Sequence, residues 1–217
     1  MKLICFDLDN TLINSDRAHY RAYNIALRKL GFKKFSYANM VKHFGAPKIE
    51  IAKILTSSDD KKVIDNITEL HEKLLVREAK KDARKIAGAE NVLKVLKGRY
   101  EIGLLSNNSH HNILQLLKSV KIDKNLFNVI VGNDDVRYSK PYPDEILKAE
   151  KLLHLKASYM VGDSVYDIIA GKKAGVKTMA VLTGHFSKNA LKRYNPDYII
   201  KTLKGIIRIL KLKTKAI

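Results

Sequence analysis

From Gly88 to the carboxyl end, short apolar runs alternate with amphipathic stretches, and few folds accept that alternation. Residues 92–97, 113–120, 143–153, 165–174 and 203–212 read as helices, and residues 102–105, 129–131, 159–161, 178–182 and 198–200 as strands. Strands separated by helices in this way form a parallel sheet, because a right-handed crossover carries each helix back over one of its faces. Leu3-Ile4-Cys5-Phe6 adds a strand at the start. The run is too short for a helix and apolar throughout, as a strand covered on both faces must be.

Between that first strand and Gly88 the pattern contains no strand. Ser15 or Asp16 can cap a helix that brings Tyr20, Tyr23, Leu27 and Leu30 onto one face and stops at Gly31. Shorter helices over 37–44 and 49–55 follow, split by Gly45-Ala46-Pro47. A longer one, capped by Ser57 or Ser58, has Val63, Ile67, Leu70 and Leu74 as its buried stripe. The expected architecture is therefore α/β. Residues 1–13 and 86–217 form a parallel-sheet core, and residues 14–85 form a helical insert hinged near 13–16 and 83–88.

Each strand hands its carboxyl end to polar residues, which is where open α/β sheets bind ligands. After the first strand, Asp7 and Asp9 would point the same way about 7 Å apart in an extended chain. Two carboxylates held so close repel each other, and a cation between them relieves the repulsion. A set of oxygen ligands alone suits Mg²⁺. Later strand ends supply Ser106-Asn107-Asn108 ahead of a helix N-terminus, Lys140 between a strand and Pro141 and Pro143, and Asp163 with Asp167 after Gly162. Asp167 also fits the first turn of a helix, where the dipole favours an acid.

Composition narrows the alternatives. At 217 residues, with 46% hydrophobic residues, the chain can bury a substantial core. It has no apolar run of membrane-spanning length and no signal-peptide pattern, so a cytoplasmic location is expected. The single cysteine, Cys5, lies in the first strand and excludes an intrachain disulfide. His110, His111 and His185 follow strand ends without the His–Cys spacing of a zinc site. The formal charge of +19 attracts anions. The lysines are nevertheless scattered over the helices, and no basic strand carries aromatics for base stacking.

Taken in order and spacing, FDLDNT at residues 6–11, the strand end at Ser106, KPYP from Lys140 and VGDSVYD at residues 161–167 resemble the four motifs of the haloacid dehalogenase (HAD) superfamily. The inserted helices resemble the cap of its phosphoglycolate phosphatase and β-phosphoglucomutase-like branch. Residues 170–184, AGKKAGVKTMAVLTG, resemble the family's usual continuation. This resemblance implies a Rossmann-like sheet of order 3-2-1-4-5 with an α-helical cap domain, and a Mg²⁺-dependent phosphatase acting on a small phosphorylated metabolite. Asp7 would be the nucleophile that forms an aspartyl-phosphate, and Asp9 the general acid and base. Asp7, Asp163, Asp167 and the backbone carbonyl of Asp9 would hold the metal. Lys140 would neutralise charge, while Thr11, Ser106 and the backbone N–H groups of Leu8 and Asn107 would bind the phosphoryl group. Arg17, His19, Lys42, His43 and Lys48 are candidates for recognising the leaving group from the cap.

Dehalogenases of the family lack a second acid in the first motif, so Asp9 argues against carbon–halogen cleavage. Two alternatives stand beside the phosphatase. One is a sugar phosphomutase with the same motifs, and the other a non-catalytic nucleic-acid-binding protein on the same fold. The chain is expected to be a monomer or homodimer that meets nucleic acid only non-specifically. Any DNA or RNA binding should therefore lack sequence preference and weaken steeply with salt in a gel-shift titration.

Overall fold

The computed structural model describes residues 2–212. The apolar run after Met1 forms β1 (Lys2–Phe6), whose residues from Leu3 onward are fully buried. The helical insert follows. Ile13–Asn14 (β2) pairs antiparallel with Arg84–Lys85 (β3), so the two connections to the insert lie side by side. Between them run α1 (Asp16–Lys29), α2 (Tyr37–Met40), α3 (Lys48–Thr56) and α4 (Lys61–Asp82). Beyond β3 come α5 (Ala89–Leu96), β4 (Tyr100–Ser106), α6 (His110–Ser119), β5 (Val129–Gly132) and α7 (Asp144–Leu153). The chain continues through β6 (Ala157–Gly162), α8 (Val165–Lys173), β7 (Lys177–Val181), α9 (Lys188–Lys192), β8 (Tyr198–Ile200) and α10 (Lys204–Ile209).

The main sheet has six strands in the order β5-β4-β1-β6-β7-β8, and every pairing in it is parallel. Counting only its own strands, this is the expected order 3-2-1-4-5 with Tyr198–Ile200 added at the edge. β1 lies in the interior, so Asp7 leaves the sheet between the ends of β4 and β6. Its backbone N–H still donates to Val161 O at 2.8 Å. No helix among the described residues is long and apolar enough to cross a membrane.

Several local expectations need correction. α4 is capped by Asp60, whose carboxylate accepts from the N–H groups of Lys62 at 2.7 Å and Val63 at 3.3 Å. Ser57 instead ends α3 in the left-handed region. The buried stripe of α4 runs through Ile64, Ile67, Thr68, His71, Leu74, Leu75 and Glu78, while Val63 and Leu70 stay half-buried. On α1 the buried face is Ala18, Ala22, Tyr23, Ala26 and Leu27. Leu30 lies past the last turn of the helix and is exposed, and Tyr20 is half-buried. The last helix ends at Ile209, three residues before the expected Leu212.

The turn from β6 into α8 depends on Gly162. A Cβ placed there would overlap the carboxyl carbon of Asp167. That carboxylate is fixed from the opposite side, because Ser164 and Asp167 form a reciprocal capping box at the start of α8. Gly162→Ala should therefore lower stability by about 1–3 kcal/mol in urea denaturation, with strain rather than lost burial as the cause.

Candidate active site

The carboxyl ends of the central strands converge on Lys140. Its ammonium is 2% exposed and donates to Asp7 Oδ1 at 2.6 Å, Asp167 Oδ1 at 2.8 Å and the carbonyl of Leu105 at 3.1 Å. All three of its donors are thus used, by groups that leave β1, β4 and the start of α8. Asp163 completes the group, accepting from Thr11 Oγ1 at 3.3 Å. Asp7, Asp163 and Asp167 each offer a carboxylate oxygen, and the three atoms lie within 4.8 Å of one another, all on buried residues. The two oxygens of Asp167 do separate work. Oδ1 meets Lys140, while Oδ2 accepts from Ser164 Oγ at 2.6 Å and from its backbone N–H at 3.1 Å.

Three acids around one ammonium cannot all ionise freely. Burial, opposed by Lys140 and reinforced by the charges of Asp167 and Asp9, pushes Asp7 up to about 8. Burial and the charges of Asp7 and Asp167 raise Asp163 as well. Lys140 moves the opposite way to an isolated buried lysine: burial alone would lower it, but Asp167 and Asp7 hold it well above its usual range. Behind it, the fully buried Glu145 faces the backbone N–H of Lys140 at 3.4 Å and is raised by burial to about 7.

Asp9 has different surroundings. Ser15 Oγ donates to Oδ1, His19 Nε2 lies 3.3 Å from the same oxygen, and Asn108 Nδ2 donates to Oδ2 at 2.5 Å. Burial would raise its carboxyl, but the hydrogen bonds from His19 and Ser15 and the charge of His19 outweigh it and hold Asp9 below the ordinary value. The turn that presents it folds back sharply, with Asn10 in the left-handed region and Leu8 O accepting from the N–H groups of Leu12 and Ile13. Ser15 therefore uses its hydroxyl on Asp9 and makes no capping bond to α1.

A cleft between this cluster and the insert gathers Asp7, Asp9, Ser106, Asn107, Lys140 and Asp163 on one side, with His19, Tyr23, Lys48, His71 and Glu72 opposite. Asn107 ties the two sides together, its amide donating to Gly45 O and Lys140 O, both at 3.2 Å. Thr11 and Leu8, expected to bind the phosphoryl group, are fully buried and are not among the residues that line the cleft; Thr11 instead donates to Asp163. Of the residues expected on the insert, His19 and Lys48 line the cleft, whereas Arg17, Lys42 and His43 do not. His185 binds Asp16 at 2.8 Å and His110 binds Asp135 at 2.9 Å, so both are engaged in local ion-pair geometry.

His71 and Glu72 had not been singled out, while Ser15, expected as a helix cap, and Asn108, expected only as part of a strand end, prove to be partners of Asp9. His71 left a readable signal. It falls at helical spacing on the apolar stripe Ile64–Ile67–Leu74, where a polar side chain needs a reason.

The comparisons with known proteins agree with this geometry. A family model described as haloacid dehalogenase-like hydrolase matches residues 4–181. A protein of Oceanobacillus iheyensis named pyrophosphatase PpaX is 30% identical over 212 residues, covering 96% of both chains. One of the same name from Bacillus mycoides is 29% identical over 215 residues, covering 95% of each. Among solved structures, a haloacid dehalogenase-like hydrolase, so described, from Bacteroides fragilis superposes with a TM-score of 0.89 at 25% identity, covering 95% of this chain and 99% of that one. A protein of Haemophilus somnus, assigned by prediction as a phosphoglycolate phosphatase, shares the fold with a TM-score of 0.85 at 22% identity, covering 97% and 98%. Strand order, the acids gathered on Lys140 and a family match spanning both segments of the sheet converge: the chain belongs to the haloacid dehalogenase-like hydrolases.

Proposed function

We propose that this protein is a Mg²⁺-dependent phosphatase that cleaves a small phosphate monoester in two steps on Asp7. Residues 14–85 serve as a cap domain over a core of residues 1–13 and 86–217. The observation that carries the reading is the placement of the Lys140 ammonium 2.6 Å from Asp7 Oδ1 within a group of three buried acids. A solvated surface lysine would not be held this way, and a buried cluster of excess negative charge calls for a cation. The donor set is oxygen only, which fits Mg²⁺. Gly184 lets the Asp163 carboxylate turn into the cluster through space that any Cβ would fill. Asp7, Asp163, Asp167 and the Asp9 carbonyl are the groups that would hold the ion. Bound there, Mg²⁺ offsets the repulsion between the anionic nucleophile and the anionic phosphoryl group.

The chain's own residues then act in sequence. An oxygen of Asp7 attacks phosphorus, and the bond to the leaving oxygen breaks as Asp9 delivers a proton to it. Lys140 keeps Asp7 oriented and faces the charge that develops on the phosphoryl oxygens. Thr11, Ser106 and the N–H groups of Leu8 and Asn107 would bind those oxygens. Asp9 next takes a proton from water, whose oxygen attacks the phosphorus of the aspartyl-phosphate and restores the Asp7 carboxylate. The hydrogen bonds around Asp9 favour its ionised form, the one required in this second step. In the first step, the negative charge of the arriving phosphoryl group shifts the carboxyl back toward protonation.

The pH dependence of stability follows from Asp7. Its folded-state value of about 8 lies above the ordinary 3.8, so ionisation is disfavoured in the folded chain. No penalty exists below 3.8, where both states are protonated; it grows as pH rises toward 8 and is complete above that. Mg²⁺ favours the ionised acids and should raise Tm more at pH 8 than at pH 5.5 in differential scanning fluorimetry. An equal shift at both values would count against metal binding by these carboxylates.

The two acids are separable by their kinetics. Asp7→Asn should reduce turnover of every substrate by at least about 10³-fold and form no phospho-enzyme. Asp9→Asn should lose about 10²–10⁴-fold on alkyl esters, whose leaving group needs a proton. With p-nitrophenyl phosphate, which leaves as a stable anion, the same variant should release one burst of p-nitrophenol and stall as the aspartyl-phosphate. Rapid-quench kinetics and mass spectrometry read both outcomes. Equal losses on the two ester types with no adduct would leave Asp9 without an acid–base role.

A further inference from the structure

We infer that Asp16 and His185 form a brace that positions Asp9 by fixing the turn on which it stands. Both act through other residues and are positioning residues. The inference rests on the phosphatase reading above and adds to it the groups that hold the acid–base carboxylate in reach of the leaving oxygen.

Residues 9–16 form a short loop closed by two side-chain bonds. Ser15 Oγ donates to Asp9 Oδ1. One residue along, Asn10 Nδ2 donates to Asp16 Oδ1 at 2.8 Å, and this bond is buried. Asn10 holds a φ of 56°, a left-handed conformation that a residue other than glycine keeps only where its surroundings enforce it. Its Oδ1 is buried without a partner among the described residues, so the bond to Asp16 carries the anchoring of its side chain. Asp16 is thus bonded to the residue that follows Asp9 and adjoins the residue that donates to it.

An acid that only complemented the dipole at the start of α1 could stay in water, yet Asp16 is 4% exposed. Its second oxygen, Oδ2, meets His185 Nε2 at 2.8 Å. A carboxylate only accepts, so Nε2 is the donor in this pair. The hydrogen bond to Asp16 raises His185 above its ordinary value against the effect of burial, and the charge of Asp16 adds to the rise, which favours the imidazolium as counter-ion. His185 belongs to the core, in the loop after β7, and its neighbour Gly184 is the position where a Cβ would overlap the Asp163 carboxylate. One loop thus makes way for Asp163 with its glycine and holds the turn of Asp9 with its histidine, at the point where the chain leaves the core for the insert. Without His185 the buried Asp16 carboxylate lacks its cation and turns toward water, and it draws Asn10 and Ser15 with it. Asp9 then keeps only His19 and Asn108, and proton delivery suffers because it tolerates little displacement.

The test compares a step that needs the proton of Asp9 with one that does not. In His185→Gln and in Asp16→Asn, kcat for glycerol 2-phosphate should fall about tenfold while KM stays within about twofold. The burst of p-nitrophenol from p-nitrophenyl phosphate should keep its rate in both variants and be followed by a slower steady state, since only the second step on this ester uses Asp9. The double variant should lose no more than the worse single one, because the two residues work as a unit. Hydrogen exchange followed by mass spectrometry should quicken at residues 10–13 and stay unaltered in β4 and β6. A burst rate that falls as far as turnover of the alkyl ester, losses that multiply in the double variant, or unaltered exchange at residues 10–13 overturns the brace. Should His185→Gln fail to fold, Asp16→Asn, which keeps the shape of the side chain, decides by the same readouts. If the unmodified protein hydrolyses neither ester, the phosphatase reading has failed. The brace is then judged by exchange alone, faster exchange at residues 10–13 supporting it and unaltered exchange overturning it.

Discussion

One ammonium among buried carboxylates organises this protein. Removing a charge from water costs several kcal/mol, and Lys140 and Asp167 are each only 2% exposed. Their burial is tolerable because each carries hydrogen bonds from fixed directions. Lys140 has three, and Asp167 adds two from Ser164. Partners 133 residues apart in sequence, such as Asp7 and Lys140, meet at this precision only if the backbone between them is rigid. A parallel sheet provides that rigidity, since all its strands end on the same edge and β1 is flanked by β4 and β6. The glycines at 162 and 184 belong to the same constraint, each giving up a side chain where a carboxylate must pass.

Asp7 and Asp9 are two residues apart and chemically alike, yet their environments drive them in opposite directions. Asp7 sits among acids and is raised; Asp9 sits among donors and is lowered. Environments that separate two identical groups are how one fold assigns different roles to them. The separation is also topological. The partners of Asp7 all come from the sheet and its flanking loops, whereas Ser15 and His19 reach Asp9 from the start of the inserted helices. Through His19, Asp9 is linked to His71 on α4, so its surroundings depend on how the insert packs while those of Asp7 do not.

The alternation of strands and helices was legible because each buried strand is a short apolar run, and the strand ends were legible because Asp7, Lys140 and Asp163 are charged residues abutting such runs. The insert was harder. Its helices are amphipathic in a way that locates them to within a few residues but leaves the exact face open, so the stripe on α4 was placed one residue off, at Val63 and Leu70 instead of Ile64 and His71. Caps were ambiguous for the same local reason. Ser57, Ser58 and Asp60 all have a side-chain acceptor, and only the path of the chain leaving α3 decides between them. Ser15 shows the limit most clearly: its sequence position is that of a helix cap, and nothing local says that its hydroxyl turns instead to Asp9.

The formal charge of +19 and the acidic floor of the cleft act over different ranges. At physiological ionic strength a surface charge is screened beyond about 8 Å, so scattered lysines create a shallow positive field around the molecule and no focused track. Inside the cleft the balance reverses. Asp7, Asp163 and Asp167 face a single buried ammonium, and the next cation on its wall, Lys48, is already paired with Glu72. An anion drawn in by the outer field meets net negative charge at the end of its path, and its stay there depends on a small number of donors in fixed positions. Attraction at long range is therefore undiscriminating, and selection falls to the few groups in the cleft whose hydrogen bonds are not already spent.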